Sequence, residues 1–117
     1  MAVSVYVDGS GGANSGYGYF VKETGRSFYE TRPGLTNNQA EYLAIISALR
    51  EFDGSDGLTI YSDSKNTVSQ LNHEFAINDA ELRKLARRAW EIAARCQNLS
   101  IRWIPRRENP AGKMLGS

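Results

Sequence analysis

Two apolar runs in this chain stop at an aspartate, and that pattern restricts the fold more than any other feature. Val3, Val5 and Val7 lie on one face of an alternating run from Met1 to Asp8, the signature of a strand. Leu58-Thr59-Ile60-Tyr61-Ser62 reads as a short buried strand and ends at Asp63. A carboxylate at the end of a core strand is costly to desolvate unless something positive pairs with it. A third acid, Glu41, lies near the start of a helical pattern from Gln39 to Glu51, just after Thr36-Asn37-Asn38. Three acids from separate segments point to a shared cation. Hard oxygen donors favour magnesium or manganese, and the chemistry such a site suits is two-metal phosphodiester hydrolysis.

The other signals fix the element order. Gly9 to Gly16 reads as a glycine-rich turn, and Tyr17–Lys22 and Arg26–Arg32 as strands joined by the hairpin signal Glu23-Thr24-Gly25. Pro33-Gly34 breaks the pattern, and Asn37 or Asn38 can cap a helix whose Leu43, Ile46 and Leu49 point inward. A short helix is expected over Ser64–Asn72. A longer one, capped by Asp79, runs to about Cys96 with Leu82, Leu85, Ala86, Ala89, Trp90 and Ala93 inward. Leu99–Ile104 is the last strand. Asn109-Pro110 reads as an N-cap followed by proline at the first helical position. The order β-β-β-α-β-α-α-β-α implies an α/β fold with a five-stranded mixed sheet. An antiparallel meander comes first and parallel strands follow by right-handed crossovers. Asp8 and Asp63 both fall at carboxyl ends of strands, where sites of such sheets gather.

With 117 residues, no repeat and no linker, one domain spanning residues 1–117 is expected. Cys96 is the only cysteine, which rules out an internal disulfide, and it reads as a small core residue. No run suits a signal peptide or a membrane span, so a cytoplasmic setting is the default expectation. Charge is uneven: residues 1–82 hold 5 Lys/Arg and 11 Asp/Glu, whereas residues 83–117 hold 9 and 2. That split suits a polyanion held by one part while acids elsewhere hold metal. On the helix after Asp79, Arg83, Arg87 and Arg88, with Lys84 and Arg95, are candidate phosphate contacts. Residues 84, 88 and 95 share a face at helical spacing. A solvated helix face is the competing explanation.

Val5-Tyr6-Val7-Asp8-Gly9-Ser10, Thr36-Asn37-Asn38-Gln39-Ala40-Glu41, Ile60-Tyr61-Ser62-Asp63-Ser64 and Trp103-Ile104-Pro105 together resemble the type 1 ribonuclease H family in order and spacing. The resemblance covers nearly the whole chain. It implies a ribonuclease-H-like fold and hydrolysis of the RNA strand of RNA–DNA hybrids with Mg2+, or Mn2+ as a substitute, by a monomer. It carries metal ligation onto Asp8, Glu41 and Asp63. It also carries substrate contact onto Gly9, Ser10, Asn14, Thr36, Asn37, Asn38 and Gln39, near a minor groove where the 2′-OH distinguishes RNA from DNA. Capping is an additional role for Asn37 and Asn38, and a plain turn is the alternative for Asn14.

Two departures from the family pattern stand out. The family's fourth carboxylate opens the last helix after an Asn-x-x-Ala pattern, but here Glu108-Asn109-Pro110-Ala111-Gly112-Lys113 places Gly112 or Lys113 there. Asn109 is the expected replacement, through its amide oxygen, with Glu108 as its rival; Asn109→Asp is then expected to raise magnesium affinity. The family's mobile histidine is also missing, and Arg106 and Arg107 stand in its loop. His73, between two helices, reads as a surface residue. The family's basic protrusion is reduced to His73–Asn78. Two further readings remain open: a non-catalytic hybrid-binding module with a degraded metal site, and a same-fold nuclease acting on another nucleic acid.

Overall fold

The computed structural model describes residues 2–114; Met1, placed in the first strand above, and residues 115–117 lie outside it. The strands are β1 (Ala2–Ser10), β2 (Gly16–Val21), β3 (Ser27–Thr31), β4 (Gly57–Ser62) and β5 (Leu99–Trp103). The helices are α1 (Asn37–Glu51), α2 (Lys65–Leu71), α3 (Ala80–Ala93) and α4 (Pro110–Met114), with a 3-10 turn at Arg106–Glu108 before α4. One sheet holds all five strands in the order β3-β2-β1-β4-β5. β1 pairs antiparallel with β2, and β2 with β3, whereas β4 runs parallel to both β1 and β5. The mixed sheet expected from the sequence is therefore present.

Strand alternation builds the core. Val5 and Val7 of β1, Tyr19 and Val21 of β2, and Leu58 and Ile60 of β4 are buried in one cluster with Tyr42, Ile45, Ile46 and Leu49 of α1. The expected inward stripe of α1, Leu43, Ile46 and Leu49, is buried, but so are Ala40 to Ile45 and Ala48. The helix lies between the sheet and α3 and touches both, so it is enclosed on more than one side. A helix at a domain centre needs apolar residues around most of its circumference. α3 is amphipathic in the usual way: Leu82, Ala86, Ala89 and Ile92 are buried on one stripe, while Leu85 and Trp90 are half-buried at its margins.

Several local expectations need correction. β1 does not end at Asp8. It continues through Gly9 and Ser10, with Ser10 opposite Gly16, so the turn shrinks to residues 11–15. The cap of α1 is Thr36, not Asn37 or Asn38. Its hydroxyl accepts from Gln39 N and the Gln39 side chain accepts from Thr36 N, a reciprocal capping box. α3 ends at Ala93, which leaves Arg95 beyond the helix and ion-paired to Asp53 at 3.0 Å. Arg95 therefore does not share the face of residues 84 and 88. Cys96 is half-buried against the core, and His73 is exposed with its ring stacked on Trp90. Among the described residues, no helix is long and apolar enough to cross a membrane.

Gly9 sets how closely α1 approaches the sheet. Alternation puts it on the same face as Val5 and Val7. A Cβ there would fall on the backbone of Ala40 and lie 2.6 Å from Glu41 N. The Gly9→Ala variant is expected to lose about 1–3 kcal/mol of stability, the usual cost of overpacking. Denaturant unfolding beside the parent protein checks this, and an unchanged midpoint would show that α1 can shift freely.

Candidate active site

Parallel pairing brings the first two acids together. Val7 of β1 is in register with Ser62 of β4, so Asp8 and Asp63, the residues that follow this pair, stand side by side at the carboxyl edge. Glu41 arrives from the second turn of α1, which Gly9 admits close to the sheet, and its Oε1 accepts a hydrogen bond from Gly9 N at 2.9 Å. Each of the three carboxylates offers an oxygen within 4.8 Å of the others. Asp8 and Glu41 are buried and Asp63 is half-buried. The acids line a cleft of about 410 Å³ together with Gly9, Ser10, Asn37, Asn38, Ser64 and Arg106.

This arrangement is electrostatically expensive without a cation. Burial, then the charges of Asp8 and Asp63, push the Glu41 carboxyl up to about 9; the Gly9 N–H and the Arg106 guanidinium oppose that rise. One proton on Glu41 relieves part of the repulsion. A hard divalent cation relieves more of it, and an all-carboxylate donor set suits magnesium or manganese. The residues present therefore fit such an ion.

Asn109 is buried beside this cluster, at 1% exposure, but its orientation corrects the expected role. Its Nδ2 donates to Val7 O at 2.8 Å and to Asp63 Oδ2 at 3.0 Å, while its Oδ1 accepts from Ala111 N at 3.1 Å. The amide oxygen caps α4 and the nitrogen faces the acid, so Asn109 does not present an oxygen ligand. Its rival Glu108 is exposed on the 3-10 turn, with an oxygen 4.0 Å from Arg107, and lies outside the acid cluster. Of the two residues at the family's fourth position, Gly112 is buried and Lys113 exposed. Among the described residues, no fourth carboxylate joins the three.

The remaining candidates divide between cleft and periphery. Ser10, Asn37 and Asn38 are exposed at the cleft wall, and Asn37 Oδ1 accepts from Gly11 N at 2.6 Å, tying the turn after β1 to the start of α1. Thr36 and Gln39 are engaged with each other in the capping box. Gln39 lines a neighbouring groove, and neither it nor Thr36 lines the acid cleft. Asn14 is exposed in a turn outside the cleft. Arg106 lines the cleft; Arg107 does not. Sequence reasoning missed Ser64, whose signal was its position directly after Asp63. It also missed Trp103, whose indole Nε1 donates to Asp63 O at 3.1 Å.

The raised Glu41 pKa has a definite sign for stability. The folded, metal-free protein keeps this proton up to about 9, whereas an unfolded chain releases it near 4.5. Between those values the folded state binds more protons, so stability falls as pH rises, by at most about 1.4 kcal/mol per pH unit for one group. In EDTA, denaturant unfolding is expected to show this decline between about pH 5 and about pH 8, and Glu41→Gln to flatten it. A variant with the parent's slope would remove Glu41 as its source.

A family model described as RNase H matches residues 1–108. Ribonuclease HI of Halobacterium salinarum is 33% identical over 129 residues, covering 98% of this chain, which spans 62% of that relative's length. The crystal structure of RNase H1 from the same halophilic archaeon superposes with a TM-score of 0.89 at 31% identity, covering 98% of this chain and 94% of that one. LC11-RNase H1 in complex with RNA/DNA hybrid superposes at 0.85 with 24% identity over 97% of this chain and 92% of its own, a likeness of fold. The family match spans every residue that lines the acid cleft, and the chain belongs to the ribonuclease H family.

Proposed function

We propose that this protein hydrolyses the RNA strand of RNA–DNA hybrids with the help of divalent cations. The observation that carries the reading is the convergence of Asp8, Glu41 and Asp63, from β1, α1 and the end of β4, in one cleft of a ribonuclease H fold. Asp8, Glu41 and Asp63 would hold Mg2+, or Mn2+ in its place. Bound there, the cations supply a water of lowered pKa and offset the charge that develops at the scissile phosphate.

The chain's own residues do the rest. Asp8 is fixed by its pairing with Gly18 of β2, and Asp63 follows the last β4 pair and is held by Trp103 and Asn109, so the donor oxygens are set before substrate arrives. Glu41 is held by the Gly9 N–H, and the proton that burial and the neighbouring acids favour on it would have to leave for its carboxylate to hold a cation. Asn37 commits its oxygen to Gly11 and keeps amide donors for the ligand; with Asn38 and Ser10 it provides neutral groups suited to 2′-hydroxyls and base edges. Arg106 places a cation at the mouth of an otherwise acidic cleft, where it can meet a phosphate. The complex of a fold neighbour with a hybrid supports the view that this architecture accommodates such a duplex.

Cleavage of a labelled hybrid in magnesium, and then in manganese, tests the reading. Asp8→Asn is expected to abolish cleavage while the fold survives, with stability in EDTA unchanged or higher because one like charge is gone. A fully active Asp8→Asn variant would falsify the metal assignment. A second reading, hybrid binding without hydrolysis, is favoured by the missing fourth carboxylate. Tight hybrid binding with no cleavage in either metal would select it.

The basic residues of α3 divide between two grooves. Lys84 and Arg88 line one with Arg32 and Gln39, next to the cleft residues Asn37 and Asn38. Arg83 and Arg87 line another with Phe75 and Trp90, and Arg83 donates to the carbonyls of Ile77 and Asn78. Hybrid binding is expected to weaken with salt, and Lys84→Gln with Arg88→Gln to reduce the salt slope by about two. A parent-like slope in that double variant would assign these side chains to solvent.

A further inference from the structure

We propose that Asn109 and Trp103 are positioning residues that clamp Asp63 from two sides, Asn109 on its carboxylate and Trp103 on its backbone. Asp63 needs such help. It lies one residue past the last ladder pair of β4, Ser62 with Trp103, whereas Asp8 is still paired, opposite Gly18 of β2. Strand pairing alone therefore fixes Asp8 and leaves the next residue of β4 to be held by other contacts.

Both contacts come from the segment that leaves β5. Trp103 Nε1 donates to Asp63 O at 3.1 Å and fixes its peptide. Asn109 Nδ2 donates to Asp63 Oδ2 at 3.0 Å and, from the same nitrogen, to Val7 O at 2.8 Å. Val7 immediately precedes Asp8, so one amide spans the two strand ends and sets the distance between their acids. The orientation of that amide is determined by its partners. A carbonyl and a carboxylate accept on one side and an N–H donates on the other, and a flipped amide would oppose all three. Asn109 also holds the acid with a neutral donor. A lysine or arginine in its place would neutralise Asp63, whereas an amide leaves the charge for a cation.

The same geometry reverses the expectation for Asn109→Asp. A carboxylate there would face the Val7 carbonyl and Asp63 Oδ2, acceptor against acceptor at hydrogen-bond distance. It repels the acid it should hold, instead of adding a ligand.

The inference rests on the metal-dependent reading above, and calorimetric titration with manganese alone tests it without any cleavage assay. Asn109→Ser keeps an oxygen that can cap α4 through Ala111 N but loses both donors. It is expected to bind manganese about tenfold more weakly, as is usual when a group that orients a ligand is removed, and to lower kcat with little change in KM for hybrid. Trp103→Phe removes the indole N–H while keeping an aromatic, though smaller, ring at a side chain that is 46% exposed. It is expected to move manganese affinity in the same direction, and it decides the matter if Asn109→Ser does not fold. Parent-like manganese affinity in folded Asn109→Ser, or in Trp103→Phe when that variant alone is folded, would reduce the clamp to a helix cap. Tighter binding by Asn109→Asp would overturn it in favour of direct ligation. A parent protein that takes up no manganese would instead overturn the functional reading.

Discussion

The parallel pairing of β1 with β4 is the constraint from which the rest of the site follows. Its last pair, Val7 with Ser62, places the acids that follow each of these residues, Asp8 and Asp63, next to each other. Parallel neighbours cannot be joined by a tight turn, so the chain must travel through β2, β3 and α1 before β4 begins. That excursion delivers Glu41 to the same edge. The fold thus creates a point of concentrated negative charge, and the local details around it limit the cost. Gly9 gives up its side chain and offers its N–H, Arg106 supplies a nearby positive charge, and Asn109 supplies uncharged donors.

Much of this was legible in the sequence, for physical reasons that can be named. Alternation at Val3, Val5 and Val7 reports a strand because side chains on a pleated sheet have a period of two. An acid directly after each apolar run, Asp8 and Asp63, reports where the core gives out, because a carboxylate is not carried inward without a partner; β4 does stop there, whereas β1 runs on to Ser10. The cap of α1 was legible but misread. Thr36-Asn37-Asn38-Gln39 carries the Ser/Thr-x-x-Glu/Gln signature of a capping box, but the adjacent asparagines are good caps as well and compete with Thr36 in the sequence. Gly9 was assigned to a turn because glycine punctuates turns. Its actual reason, the close passage of α1, depends on a backbone distant in sequence.

Asn109 shows where sequence reading runs out. Its burial and its place before a proline were readable, but the direction of its amide was not. That direction is set by an acceptor on Val7, an acid on Asp63 and a donor on Ala111, and only folding brings the first two to it. A ligand role and a positioning role use the same residue type in the same location and differ by half a turn of one side-chain torsion. The exposure of α1 was similarly hidden: its sequence offers a stripe, and enclosure between the sheet and α3 buries most of what lies between.

The bond from Asn109 to Val7 closes a loop across 102 positions. Contacts this remote form against a large loss of chain freedom and tend to come after local ones. During synthesis, β1, α1 and β4 all leave the ribosome before the segment that carries Asn109. A nascent chain therefore holds its three acids before it holds the bracket that spaces them. Assembly of the site waits on the emergence of the segment after β5, not on the appearance of its ligands.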